Sequence, residues 1–175
     1  MKKILSFIVL ALSTLFATAQ TDTTKAIHGF ANHFSMSVPG DVSEMTAEMI
    51  RLKYHKVKDE DTNFYGDADA SFSIVSSIVV PNNVKEEDMV NHKEQLLTSI
   101  KAKYKLLTEE VRTVNKHKLI VVSFYSDVPD GKVLNKRFFA VVNQKLILVT
   151  FNATEAELKK RDAQMEASIN SVIIK

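Results

Sequence analysis

Residues 118–151, KLIVVSFYSDVPDGKVLNKRFFAVVNQKLILVTF, carry the densest alternating apolar pattern in the chain. They read as three β-strands joined by two tight turns. In the first, Ile120, Val122 and Phe124 fall on one face and Leu119, Val121 and Tyr125 on the other. In the second, Phe138, Ala140 and Val142 oppose Phe139 and Val141; in the third, Leu146 and Leu148 oppose Ile147, Val149 and Phe151. Such β-branched and aromatic residues suit a pleated surface. A strand with one wet face alternates apolar with polar, whereas a strand covered on both faces is apolar almost throughout. These three are therefore central and sandwiched. Proline presets φ and glycine tolerates φ > 0, so Val128-Pro129-Asp130-Gly131 suits the first turn. Asn143-Gln144 fills the second, a two-residue connection.

Weaker patterns flank this meander. FSMSVP alternates Phe34, Met36 and Val38 with two serines and stops at Pro39-Gly40, as a half-exposed strand would. In residues 49–56, Ile50, Leu52 and Tyr54 alternate with Arg51, Lys53 and His55, which predicts a second strand. Residues 71–80 predict a third, ended by Pro81, and the three together an antiparallel edge portion of the sheet. Residues 107–114 predict one more strand, turned into the meander by Asn115-Lys116. Helical spacing runs through Met89, Leu96, Leu97, Ile100 and Tyr104, and Asn83 with Glu86 resembles a capping box. A second helix opens at Thr154, with Glu157 three residues on and a stripe of Leu158, Met165, Ile169, Val172 and Ile173. The predicted order is β-β-β-α-β-β-β-β-α. It makes an α+β domain over residues 34–175, an antiparallel sheet of six or seven strands sandwiched by two main helices. Residues 20–33 form a polar lead-in, within which 26–33 make a helical turn or extend.

The early Phe-x-x-x-x-Pro strand (FSMSVP), the long helix after the third strand, and the closing VTFNATEAEL…INSVII resemble the PsbP-like family. This family includes the extrinsic subunit of photosystem II and DcrB-type bacterial envelope proteins. The resemblance spans residues 34–174. It implies an antiparallel sheet between helices and a binding, assembly or chaperone-like role rather than catalysis, with no shared catalytic set. DcrB-type relatives often carry a lipid anchor on cysteine, and this chain has no cysteine.

The first 19 residues change the picture of where such a domain works. Lys2 and Lys3, the apolar run of residues 4–16, and Ala17-Thr18-Ala19 have the three parts of a cleavable signal peptide. The apolar run falls short of the roughly 20 residues of a membrane span. The predicted mature chain starts at Gln20, has no span of its own and is not a lipoprotein. It belongs in the periplasm or the medium. Loss of Lys2 and Lys3 leaves 21 basic against 21 acidic side chains, so the mature chain is formally neutral, a poor nucleic-acid binder. Without cysteine, its stability rests on packing and no thiolate chemistry or Cys-ligated metal is possible.

Candidate chemistry is sparse. The chain has no G-x-S-x-G, H-E-x-x-H, P-loop or G-x-G-x-x-G. No cofactor is implied. His28, His33, His55, His92 and His117 lack a ligand spacing. The acidic loop of residues 59–69, DEDTNFYGDAD, gathers the hard oxygen donors Asp59, Asp61, Asp67 and Asp69 that Ca²⁺ prefers, but it misses the EF-hand template: Phe72 stands where a bidentate Glu is needed. Phe64 and Tyr65, aromatics in that loop, are candidate partner-contact residues. The favoured reading is a non-enzymatic exported protein that binds or helps assemble an envelope protein. The alternative is a carrier of a small ligand or divalent ion.

Overall fold

A computed structural model describes residues 23–55, 61–129 and 131–175. The meander forms as the alternation requires: β7 (His117–Val128), β8 (Gly131–Val142) and β9 (Lys145–Thr154) pair antiparallel in sequence. β6 (Leu106–Val114) adds to β7, and β5 (Phe72–Val80) adds to β9. β4 (Thr62–Gly66) and the two-residue β3 (Ser43–Glu44) complete a seven-stranded sheet of order β3-β4-β5-β9-β8-β7-β6. The hairpin turns have both central residues in the left-handed region, at φ 46° and 74° for Asn115 and Lys116 and 46° and 60° for Asn143 and Gln144. That is the turn whose twist matches a right-twisted hairpin.

A second layer lies on one face of this sheet. β1 (Thr24–Gly29), β2 (Phe34–Pro39) and β10 (Ile173–Ile174) form a separate three-stranded antiparallel sheet, and α4 (Leu158–Asn170) packs beside β2. Phe34, Met36 and Val38 of β2, with Met165 and Ile169 of α4, meet Leu119, Val121, Phe138, Val149 and Phe151 in the main core. On the opposite face, α2 (Glu86–Asn91) and α3 (Lys93–Lys101) bring Met89, Leu97 and Ile100 onto Ile120, Val122, Phe124 and Phe139. A small third core forms where α1 (Ala47–Tyr54) sets Ile50 beside Phe64 and Met45. The expected antiparallel sheet with an apolar, doubly covered middle is observed, but one covering layer is a three-stranded sheet with α4 instead of a helix alone, and several elements differ from expectation.

The expected strand from residue 49 is a helix through Tyr54 instead. Thr46 caps a helix by accepting from the Met49 amide, and Ile50 and Tyr54, four apart, face inward while Leu52 is 65% exposed. The β2 strand does not edge the main sheet; its buried face lies flat across it as a second layer. The fold also begins before residue 34, because β1 extends along β2 and buries Ile27. Asn83 is no helix cap: its φ of 60° turns the chain, and the helix starts at Glu86 and breaks at His92 into α2 and α3. Thr154 still belongs to β9; its carbonyl accepts from the Glu157 amide in the turn that precedes α4. Among the described residues no helix is long and apolar enough to cross a membrane. The expected signal peptide, residues 1–19, lies outside them.

Candidate functional site

β8 is covered on both faces, yet its centre reads Asn135-Lys136-Arg137. Side chains alternate across a strand. Lys136 therefore points to the α4 side, and Asn135 and Arg137 to the side shared by α1 and α3. Each side has a recess.

On the α4 side, the helix leaves the β6–β7 end of the sheet uncovered and a groove of about 720 Å³ remains. Its floor holds the buried Lys136, whose Nζ donates to Asp162 Oδ1 at 2.8 Å and Glu166 Oε1 at 2.6 Å. Glu166 Oε2 accepts from Arg112 Nη1 at 2.7 Å, and Arg112 also binds Glu110. Burial pushes the Glu166 carboxyl up, but the hydrogen bonds from Lys136 and Arg112 outweigh it and hold the pKa below the usual range. At the rim Leu107 is 53% exposed and Tyr125 39%, and Leu134, Leu158 and the exposed Lys159 also line the groove. Leu107 sits at a register shift in β6 between Leu106 and Thr108, which places it off the regular ladder. Chemically, this is a largely apolar mouth over charges that compensate one another. It presents no nucleophile–base pair.

On the other side, a cleft of about 560 Å³ lies between α1 and the ends of β7, β8 and β9. Asn135 faces Asn152 across the β8–β9 pair, and Asn152 faces Ser73 across β9–β5. Asn135 Nδ2 donates to Ser126 Oγ at 2.9 Å, and the Tyr54 hydroxyl donates to Ser73 Oγ at 2.7 Å. Burial pushes the Tyr54 hydroxyl pKa up, with Ser73 and Asn152 opposing. The lining mixes these hydrogen-bonding groups with apolar side chains and one cation, Lys53, whose pKa burial pushes down.

Of the acidic loop, the described carboxylates Asp61, Asp67 and Asp69 do not come together at one point. Asp59 and Glu60 lie outside the described residues. Asp61 is exposed ahead of β4, and Asp69 is exposed and accepts from the Ser71 amide. Asp67 is buried and turned inward: it accepts from the Phe72 amide, the Ser71 hydroxyl and Arg161 Nη2 at 2.9 Å. Arg161, 1% exposed, also donates to Asp41 and Glu157 and lies 4.6 Å from the Phe72 ring centre. Among the described residues no three His, Asp or Glu side chains converge on a point where an ion could sit. Phe64 and Tyr65 are not loop-tip aromatics. They lie on β4, whose period of two sends Phe64, 2% exposed, against Tyr54 and sends Tyr65, half-buried, toward the main core. The polar triplet in β8 was the signal for both recesses, since an apolar doubly covered strand has no other reason to carry it.

No family model matches the chain, and no curated protein matches it significantly. Among solved structures, the chain is similar to the cyanobacterial PsbP (CyanoP) of Synechocystis sp. PCC 6803. The TM-score is 0.60 at 9% identity, over 90% of this chain and 96% of that one. It is also similar to a protein from Bacteroides thetaiotaomicron, with a TM-score of 0.59 at 11% identity. That match covers 86% of this chain and 48% of the other, so this chain spans about half its length. The identities speak to fold alone. With its antiparallel sheet between two covering layers, this chain has the PsbP-like fold.

Proposed function

We propose that this is a non-enzymatic exported protein that binds or helps assemble an envelope protein, and that it does so through the α4-side groove. One observation carries the reading: Leu107 and Tyr125 stand exposed at the mouth of a groove whose charged floor is internally neutralised. An exposed aliphatic and an aromatic side chain beside a recess are the anchors that protein interfaces use. The floor ions Lys136, Asp162 and Glu166 offer little to a charged small ligand, since they are paired with one another. The N-terminal pattern of Lys2, Lys3, the apolar run and Ala17-Thr18-Ala19 supports export to the periplasm or medium. The PsbP-like fold is in keeping with a binding role and supplies no catalytic set.

The test is a chemical cross-linking pull-down from the envelope fraction with the wild type and with Leu107→Asp/Tyr125→Asp. Both side chains are exposed, so the double variant should melt like the wild type. The reading expects one reproducible stoichiometric adduct with the wild type and its loss in the variant. An adduct that survives the double substitution, or none with the wild type, overturns it.

A further inference from the structure

Among the described residues the two buried cations are paired, whereas the half-buried Arg137 is not. Arg161 meets Asp41, Asp67 and Glu157, and Lys136 meets Asp162 and Glu166. Arg137 meets no carboxylate among the described residues. Its guanidinium lies 4.9 Å from the centre of the Phe124 ring, which stacks in turn on Tyr104 at 4.5 Å. Nε is enclosed without any hydrogen-bond partner. Burial lowers the Arg137 pKa, offset only in part by the Tyr104 hydroxyl. An arginine held so is costly, because a buried donor that has given up water keeps the full desolvation penalty until an acceptor arrives. The stacking also fixes the guanidinium plane, so little orientation remains to be lost when a ligand binds.

The surroundings supply a hydroxyl, two amides and, in the cleft, the cation Lys53, with no acid among the cleft-lining residues. Thr150 stands directly across the strand pair from Arg137. Asn135, two residues along β8 on the same face, and its cross-strand partner Asn152 lead from the guanidinium into the α1-side cleft. No carboxylate lines that cleft. Its volume, about 560 Å³, is that of a small-molecule site.

We propose that Arg137, with Thr150 across from it, forms an oxyanion-binding site, taking the carboxylate or phosphate group of a small ligand whose remainder lies in the α1-side cleft past Asn135 and Asn152. A planar guanidinium pairs with either group through two parallel hydrogen bonds. The site lies on the opposite face of the sheet from the α4 groove and stands or falls independently of the partner reading.

The experiment follows the melting temperature of the purified protein against inorganic phosphate and, separately, citrate, with chloride at matched ionic strength as the reference. Ligands of the native state raise stability in a saturable way. Excluded anions raise it without saturation and irrespective of any one residue. Arg137→Gln separates the two. The expected result is a saturable rise in the wild type with at least one anion and its disappearance in Arg137→Gln, which should fold at least as stably when no anion is present. Arg137→Lys keeps the charge without the fork and should bind roughly tenfold more weakly or worse. It also keeps the test valid if Arg137→Gln does not fold. A response to phosphate alone identifies a phosphoryl ligand, and a response to citrate alone a carboxylate. Shifts no greater than chloride gives, or equal shifts in wild type and variants, overturn the proposal.

Discussion

Arg161 holds three carboxylates at the junction of α4, the β2–β3 link and the turn after β4. Asp67, though buried, depends on it for a cation. Arg161→Met should therefore cost about 3–5 kcal/mol, because breaking a buried pair leaves an uncompensated charge behind. Urea unfolding reads this directly, and wild-type stability in the variant would mean that Asp67 has another partner. The same junction sets a pH response. The Arg161 hydrogen bond holds the Asp41 carboxyl at about 2 against the opposing effect of burial, with Lys160 helping. Lys101 and Lys93 likewise hold Glu109 at about 2, again against burial. Both folded values lie below the ordinary 3.8 and 4.5, so the unfolded chain takes up protons first on acidification. Their contribution is present above the ordinary carboxylate range and disappears as pH falls from there to about 2. Asp41 is 44% exposed, so its share is screened, and added salt should flatten the decline. Denaturant midpoints that stay constant down to the lower value would contradict these pairings.

At the scale of elements, the turns and the central strands make separate predictions. Gln144 sits at φ 60°, a region that costs a side-chain-bearing residue but not glycine. Gln144→Gly gives the preferred Asn-Gly turn and should stabilise by about 0.5–1 kcal/mol, the relief of left-handed strain less the added chain entropy. A destabilised variant would mean that the turn is of another type. Phe124 is fully buried between β8 and Tyr104, so Phe124→Ala should cost about 3–5 kcal/mol through cavity formation. Leu148, only half-buried, should cost less.

The meander was legible from residues alone because its strands are apolar on both faces and no other element tolerates that pattern for so long. α1 was not, since alternation of Ile50, Leu52 and Tyr54 fits a strand while the Ile50–Tyr54 interval of four fits a helix equally. Only the Thr46 cap and the exposure of Leu52 distinguish them. The β2 pattern foretold a strand but not which sheet it joins, as periodicity carries no information on pairing partners. β1 escaped notice because it buries one apolar side chain, Ile27. The site has a similar history. Lys136 is visible as an anomaly within β8, but its partners Asp162 and Glu166 stand 26 and 30 residues away and meet it only once α4 has packed.

For the molecule as a whole, what matters is how completely the two layers cover the seven-stranded sheet. α2 and α3 close one face over β7 and β8. On the other, β2 and α4 cover the centre and leave the β6–β7 end open, where Leu107 and Tyr125 emerge. Exposed apolar side chains beside an open groove are the feature on which the proposed partner binding rests. The most direct test replaces Tyr125 with a photo-cross-linking residue and compares it with the same residue at Leu52, more exposed still but on α1 at the opposite side of the sheet. Irradiation of cells should give one discrete adduct from position 125 and none from position 52. The same adduct from both positions, or from neither, would contradict binding through the α4 groove.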